Sequence, residues 1–380
     1  MKLKFLLLII VILIFYVWTA TAGRDSFGLH LNHSSYYSLL ADSFLAGKLH
    51  LLVKPRPELL ALNDPYDPNQ NGPYRLHDAS LYKGKYYLYF GITPVLIFFL
   101  PYKLITENYP PENFVILLFG FGGFLWSVAI LLLLRKKYFQ DIKEWKVLLS
   151  IAVLGFANVV PFLLRFIAIY DVAISCGFFC LTGALYFFVR AFFNLRPSIY
   201  LITLGSLFLG LASGARPNFI LAGVIILLAY LKLIQQKFDL KTKTKAYLAL
   251  LMPFTLCLVL IFSYNYFRFN NPFDFGTYYV LAADDFRQGK KLDFRRIGAG
   301  LYFYLLQKPM IDTSFPYFHL FPPSIAIVYL NPSLPIPPEF PISVFAPYRL
   351  EKVVGIFAGI PFTLLIVIGA VFYFKQIFYF

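Results

Sequence analysis

The chain has 380 residues, of which 59% are hydrophobic and 14% charged, and its mean hydropathy is +0.68. Soluble domains carry about 25% charged residues, so this composition excludes an ordinary soluble domain and indicates a multi-pass membrane protein. The net charge of +15 is distributed over short basic clusters between apolar segments, which argues against nucleic acid as a partner. The three cysteines lie in apolar runs without a CxxC motif, which argues against a disulfide framework or a zinc site.

Eight apolar segments are each close to the roughly 20 residues that cross a bilayer. The first, residues 5–22, ends in TATAG, which also resembles a signal-peptidase site; we interpret it as an uncleaved anchor. The other seven predicted spans are residues 114–134, 147–164, 169–189, 199–213, 219–233, 246–266 and 353–374.

Basic loops predict the orientation of these spans. Residues 135–146, Arg190 with Arg196, and residues 232–245 are expected on the cytoplasmic side, because clustered Lys and Arg are translocated poorly. The three loops alternate correctly if eight spans begin with a cytoplasmic N-terminus. This parity leaves no complete crossing for residues 86–104, so we predict a re-entrant or interfacial helix there, packed against protein.

The sequence therefore predicts an all-α polytopic membrane helical bundle of about eight transmembrane helices. Residues 1–266 form the transmembrane module, including a first outer loop at 23–113. Residues 267–352 form a second outer loop or cap, and residues 353–380 carry the last transmembrane helix.

Interfacial helices are expected in both outer loops. The segments YYSLLADSFLAGK (36–48) and YYVLAADDFRQGK (278–290) share the pattern YYxLxADxFxxGK. We predict that both are helices on the membrane surface, related either by duplication or by chance convergence.

Several outer acids have a structural interpretation. Asp64 and Asp67 lie in DPYDPNQNGP, where Asp commonly caps turns, and Asp284 with Asp285 are interpreted as solvated charge. Asp25 lies just beyond the first span. It is either an acid paired with its neighbour Arg24, or a base for an acceptor hydroxyl or a metal ligand.

The residues around YKGKYY form a denser group. A hairpin there would bring His77 and Asp78 close to Tyr86 and Tyr87. Aromatic rings beside a carboxylate are typical of sugar recognition, and they are also typical of an interfacial aromatic belt.

Two predicted outer turns carry candidate phosphate ligands. Arg165 and Asp171 flank one turn, and Arg216 precedes Pro217 at the next, where free N–H groups at a helix start would add to the Arg charge. The alternative is a snorkelling arginine with its counter-ion.

Several elements together are typical of one family: YxxLADSFLAGKLHL, DPYDP, HDASLYKGKYYLYFGITPVLIFFLP, YDVAISCGFFCLTGALYFFVRA, GLASGARPNF and YNYFRFNNPFDFGTYY. In these elements, which cover most of the chain, it resembles bacterial polytopic glycosyltransferases of the GT-C class, in the dolichyl-phosphate-mannose-protein-mannosyltransferase-like group. The resemblance implies inverting transfer of a hexose or pentose from a polyprenyl-phosphate donor to a glycan, lipid or protein acceptor, on the outer face of a bacterial inner membrane.

The resemblance also implies residue roles. Asp25 would be the base, Asp171 would support the acceptor or a divalent metal (Mg²⁺ or Mn²⁺) together with Asp25, and Arg165 and Arg216 would hold the donor phosphate. The second acid of the pair usual after the first span is missing here, which makes Asp78 the alternative base.

Two other classes remain open. A transporter or flippase would place ionisable groups near the bilayer midplane, whereas the span centres here are almost purely apolar, which favours chemistry at the surface. A non-catalytic scaffold in envelope assembly would keep the architecture with degenerate acids. Many relatives continue past the end of this chain, so a truncated or inactive member is a further alternative.

Overall fold

The computed structural model describes residues 2–21, 35–165, 170–193, 197–236, 239–283, 285–288, 297–298, 301–308, 310–311, 318–319 and 354–369. It divides into two compact units, Met1–Gln288 and Gly289–Phe380. The first unit therefore extends past the predicted boundary at residue 266, because the segment after it pairs with the first long loop.

The first unit is mostly helical, as the composition predicts. Its helices are α1 (Lys2–Thr21), α2 (Tyr36–Leu45), α3 (Pro57–Leu60), α4 (Pro68–Asn71), α5 (Leu100–Thr106), α6 (Glu112–Tyr138), α7 (Glu144–Phe156), α8 (Val160–Arg165), α9 (Asp171–Ala191), α10 (Ile199–Ala215), α11 (Val224–Ile234) and α12 (Leu240–Phe269). Shorter 3-10 or π turns are Val95–Phe99, Pro217–Gly223, Thr277–Tyr279 and Phe286–Gln288, and the strands are β1 (Ala79–Tyr82), β2 (Lys85–Tyr87) and β3 (Val280–Leu281).

Among the described residues, six helical stretches are long and apolar enough to cross a membrane: Leu3–Thr21, Glu112–Tyr138, Glu144–Arg165, Asp171–Ala191, Pro217–Ile234 and Leu240–Phe269. Helix α10 has only 17 residues, although it packs between α9 and α12. Each of the first seven predicted spans overlaps one of these six stretches or helix α10. The count of eight crossings stays a prediction.

Helices α6, α9, α10 and α12 pack side by side. A Cβ at Gly123 of α6 would lie 2.4 Å from the Phe178 ring of α9, so glycine permits this close approach. Farther along, the Ser206 hydroxyl of α10 donates to the Leu250 carbonyl of α12 (2.6 Å). These contacts bury the polar groups that lipid cannot satisfy.

The two ends of the bundle differ in charge. At one end, Arg135 lies over the Phe5 ring (5.9 Å) and Lys137 donates to the Phe193 carbonyl (3.0 Å), so the first two basic loops lie together. At the other end, the Asn113 amide donates to the Ala20 carbonyl (3.2 Å). We call this second end, where α1 ends and α6 and α9 begin, the loop end.

A three-stranded antiparallel sheet at the loop end joins the two long loops. The predicted hairpin is confirmed: β1 pairs with β2 through Lys83 and Gly84, whose φ angles of 47° and 71° suit a tight hairpin turn. Strand β3 pairs with the other edge of β1, opposite Ala79 and Ser80.

The two similar segments do not share a conformation. Residues 36–45 form helix α2 as predicted, and this helix buries Tyr37, Leu40 and Ala41. The second segment forms a 3-10 turn and strand β3, so its helical prediction is wrong. The second segment lies beside the open edge of β1. Backbone pairing with β1 stabilises the strand more than the apolar pattern of this segment stabilises a helix.

The segment predicted as a re-entrant helix at 86–104 begins differently. Tyr86 lies in β2, and the helix runs only from Val95 to Thr106, which is too short to span. Before this helix the chain packs on the end of α10: the Thr93 hydroxyl donates to the Leu211 carbonyl (2.8 Å). A Cβ at Gly91 would lie 2.0 Å from the Gly214 carbonyl oxygen, so only glycine fits there.

The second unit contains the π turn Tyr302–Leu306, strands β4 (Met310–Ile311) and β5 (Phe318–His319), helix α13 (Ile356–Gly359) and a 3-10 turn at Pro361–Thr363. Helical conformation resumes over residues 364–369. The last predicted span, 353–374, is therefore interrupted in the part that the structure describes, because proline cannot donate to the preceding turn.

Candidate functional site

Two carboxylates begin two neighbouring helices at the loop end. Glu112 starts α6 and Asp171 starts α9, where only 1% of Asp171 is exposed. The two acids lie within electrostatic range of each other. The Oε1 atom of Glu112 is buried and accepts no hydrogen bond from the described residues.

Two adjacent tyrosines of α2 cover these acids. Tyr37 is fully buried, within range of both Glu112 and Arg216, and burial raises its pKa well above the ordinary value. Tyr36 donates to the His77 carbonyl oxygen; burial, and then the charge of Asp78, raises the pKa of Tyr36 to about 12. Both phenols stay protonated near neutral pH, so they donate hydrogen bonds and leave proton acceptance to the carboxylates.

Asp78 approaches Tyr36 from the sheet. It adopts a left-handed φ of 57° just before β1, and its N–H donates to the Leu281 carbonyl (2.9 Å). Burial first, and then the Asp78 charge, raises the pKa of Tyr89 above its ordinary value. The strand β3 contact thus fixes the backbone of a carboxylate that faces Tyr36 and Tyr89.

Arg216 supplies the positive charge of this group. It lies in extended conformation between α10 and the following 3-10 turn. Its charge opposes the rise in pKa of both Tyr37 and Tyr89. No hydrogen bond or ion pair joins its guanidinium to any residue that the structure describes, so the group is available to an anion.

We name this group the acid–tyrosine cluster; its members are Tyr36, Tyr37, Asp78, Tyr89, Glu112, Asp171 and Arg216. Three of the residues predicted from the sequence, Asp78, Asp171 and Arg216, thus belong to one neighbourhood although they come from three segments.

The remaining predicted residues have different positions. Arg165 is exposed at the end of α8, and Asp25 lies outside the described residues. His77 is exposed, with its Nε2 atom 3.8 Å from Asp78 Oδ1. Tyr86 and Tyr87 are buried, with 2% and 8% of their surfaces exposed, so their rings pack inside the protein rather than facing solvent.

A cavity of about 260 Å³ lies next to the cluster. It is lined by Tyr89, Phe90, Gly91, Ile92, Ser213, Gly214, Pro217, Ile261, Tyr264, Asn265, Arg268 and Phe275. Tyr89 belongs to both groups, and Pro217 follows Arg216 directly. The cavity and the acid–tyrosine cluster are therefore neighbours at the loop end.

The sequence analysis did not single out Glu112 or Arg268. The signal for Glu112 is an acid directly after Pro-Pro at the start of an apolar span. The signal for Arg268 is a basic residue in the last turn of α12, three residues after Asn265 and without an acid on the same face. Both signals are weak without tertiary structure, because such residues commonly end spans at the interface.

A second polar group ties the two long loops together away from the cavity. The Arg287 guanidinium contacts Asp64 through two hydrogen bonds and Asp285 through two more, and it lies over the Tyr66 ring (4.7 Å). The Asp285 side chain is only 10% exposed, so its interpretation as solvated charge is wrong.

The turn role predicted for the aspartates of the first loop is confirmed. Asp64 accepts from the Tyr66 N–H (3.0 Å), and Asp67 accepts from the Asn69 N–H (3.0 Å) at the start of α4.

The described residues hold no group of three or more His, Cys, Asp or Glu side chains placed to bind a metal ion. Glu112 and Asp171 supply two carboxylates, and Mg²⁺ is commonly held by one or two carboxylates together with substrate phosphates. Asp25, the other predicted metal ligand, lies outside the described residues, so the divalent metal stays a prediction.

Comparison with known proteins finds no matching family model, no matching curated protein and no matching solved structure. The fold itself defines a class: a multi-pass helical protein whose apolar helices fit a bilayer and whose acids gather at one end.

Proposed function

We propose that the chain is a membrane glycosyltransferase that moves a sugar from a polyprenyl-phosphate donor to an acceptor hydroxyl. The observation that supports this most is a network of electrostatic neighbours at the loop end: Asp78, Glu112 and Arg216 act on protonated tyrosines, and Asp171 acts on Glu112. Carboxylates, a cation and phenol donors are the groups that this reaction requires.

In the proposed reaction, Asp78 or Asp171 accepts the proton of the acceptor hydroxyl. The acceptor oxygen then forms a bond to the anomeric carbon, and the bond from that carbon to the phosphate oxygen breaks with its electron pair. The leaving polyprenyl phosphate gains negative charge, which Arg216 stabilises. Stabilisation of this charge by a preorganised group is commonly the largest contribution to such catalysis.

The direct test uses the purified chain in nanodiscs with synthetic farnesyl-phosphate mannose, glucose and arabinose as donor probes. The measurement is release of farnesyl phosphate in the presence of a membrane extract as acceptor. Whichever of Asp78→Asn and Asp171→Asn removes the base should reduce release by about 100-fold or more, because general base catalysis contributes roughly that factor, and Glu112→Gln tests the neighbouring carboxylate.

Asp67→Asn is the matched control, because Asp67 only caps a turn, and it should retain wild-type release. The proposal fails if the wild-type chain consumes none of the donors, or if all three acid variants match it. Passage of an intact donor across proteoliposomes without acceptor would instead indicate the transporter class.

A further inference from the structure

The cavity beside the cluster contains a buried cation. Arg268 has only 4% of its surface exposed, and it lies 3.9 Å above the Tyr264 ring. Its Nη1 atom donates to the Leu88 carbonyl (2.6 Å) and its Nη2 atom to Asn265 Oδ1 (2.6 Å). These two bonds use only part of a guanidinium's five donors.

Two buried polar atoms at the cavity lack a hydrogen bond of good geometry. Arg268 Nε and the Tyr264 hydroxyl make none with any residue in the described ranges, although the two side chains lie against each other and interact electrostatically. Buried polar atoms cost free energy when unsatisfied, and such exceptions in native proteins commonly mark a ligand position.

No carboxylate of the described residues forms an ion pair with Arg268. Asp274 acts on Arg268 only from a distance, and its Oδ1 atom accepts from the Gly276 N–H (2.7 Å). A buried guanidinium without a carboxylate partner favours an anion from outside the chain.

The position of the cavity relates it to a lipid surface. Tyr266 and Phe267, on the same turn of α12, are 51% and 73% exposed, and exposed aromatic residues at a helix end mark headgroup depth. The enclosed part of this space is much smaller than the roughly 300 to 1,000 Å³ of pockets that enclose a whole ligand, because the 260 Å³ includes open solvent. Only a group of headgroup size can therefore enter it, with its tail along the apolar helices.

We infer that this cavity binds one phosphate group, carried by a lipid or free in solution, between Arg268 and the Tyr264 hydroxyl. Arg268 Nε and the phenol each donate to a phosphate oxygen, and Asn265 holds the guanidinium in place. This site is separate from Arg216 and does not require sugar transfer.

The test measures the thermal unfolding midpoint of the full chain in detergent during titration with three probes: dioctanoyl phosphatidylglycerol, dioctanoylglycerol and inorganic phosphate. Phosphatidylglycerol should stabilise the wild-type chain in a saturable manner, and dioctanoylglycerol should not. If inorganic phosphate stabilises the chain less than phosphatidylglycerol does, the phosphate group at this site is carried by a lipid. If the two probes bind with equal affinity, the same site takes free phosphate from solution.

Tyr264→Phe is the decisive variant, because it keeps the ring under Arg268 and removes only a hydroxyl that has no hydrogen bond of good geometry within the described residues. Its unfolding midpoint without probe should match the wild type, while its affinity for phosphatidylglycerol should fall about tenfold, as for loss of a hydrogen bond to a charged group. Arg268→Gln should lose binding by a larger factor. Tyr266→Phe, on the exposed face, should change nothing.

Two results would overturn the inference. One is wild-type affinity for phosphatidylglycerol in Tyr264→Phe. The other is stabilisation by dioctanoylglycerol equal to that by phosphatidylglycerol, since apolar contact alone would then explain binding. Because no turnover is measured, either result leaves the glycosyltransferase proposal to its own test.

Discussion

Asp64 illustrates at the residue scale how one carboxylate serves both a turn and a contact between distant segments. Its Oδ1 atom accepts from Arg287 Nη1 (2.9 Å), which lies 223 residues away. The hydrogen bonds from Arg287 are the main cause that lowers the pKa of Asp64 below its ordinary 3.8. A lowered folded pKa means that this stabilisation is fully present above the unfolded value and is lost as the pH falls through the folded value.

We therefore predict that Asp64→Asn lowers the free energy of unfolding at pH 7 by about 1 kcal/mol, a modest value because the side chain of Asp64 is 40% exposed. The difference between variant and wild type should disappear as the pH is lowered below the ordinary pKa of Asp64. Unfolding midpoints between pH 7 and pH 3 provide the measurement.

A double-mutant cycle controls this prediction. Asp64→Asn combined with Arg287→Gln should destabilise the protein scarcely more than Arg287→Gln alone, because the two residues act as a pair. Fully additive effects, or a difference that persists unchanged at pH 3, would show that the ion pair is not the cause.

The element that positions the candidate site is the segment between β2 and α5. It enters the bundle as an irregular segment and packs on the end of α10, where the Thr93 hydroxyl donates to the Leu211 carbonyl. Tyr89 and Gly91 of this segment line the cavity. Its close contact with α10 therefore fixes the distance between the cavity and the acid–tyrosine cluster.

At this element we predict that Gly91→Ala is strongly destabilising. The new Cβ would lie 2.0 Å from the Gly214 carbonyl oxygen, a backbone atom that cannot rotate away. A cost of about 2 to 3 kcal/mol is typical of such overpacking, and it should appear as a lower unfolding midpoint. Gly72→Ala is the matched control, since its nearest neighbour is 3.9 Å away; equal midpoints for both variants would contradict the contact.

Hydropathy predicted the elements of the bundle well because a spanning helix satisfies its own backbone, so local sequence carries most of the information. The hairpin was predictable for a similar reason, since its turn is encoded by Lys83 and Gly84. Strand β3 was not predictable, because its partner is β1, about two hundred residues earlier in the chain.

The residues of the candidate site also fall into a group that the sequence predicts and a group that it does not. Asp78, Asp171 and Arg216 were selected as outer charged residues of suitable chemistry, and the structure groups them. Glu112 and Arg268 were missed, because they differ from ordinary charges at helix ends only in their burial and in one side-chain atom each, Oε1 and Nε, that has no hydrogen bond within the described residues.

On the scale of the whole molecule, basic loops and the acid–tyrosine cluster lie at opposite ends of the bundle. We predict that reporters fused after Lys146 and after Lys245 give cytoplasmic signals, because poorly translocated basic clusters remain inside. A reporter fused after Lys308 should give an external signal. Reversed signals, or different signals from the two cytoplasmic fusions, would contradict the predicted topology.

The pairing of β1 with β3 also affects how the protein is made. The Ser80 hydroxyl donates to the Gly276 carbonyl, and 196 residues separate the two. A ribosome adds about 5 to 20 residues per second, so a nascent chain displays the first hairpin for roughly 10 to 40 s before its partner strand is synthesised. During that interval one edge of β1 stays open to other extended chains. The time needed to synthesise α6 to α12 therefore sets how long a chaperone would have to protect this edge.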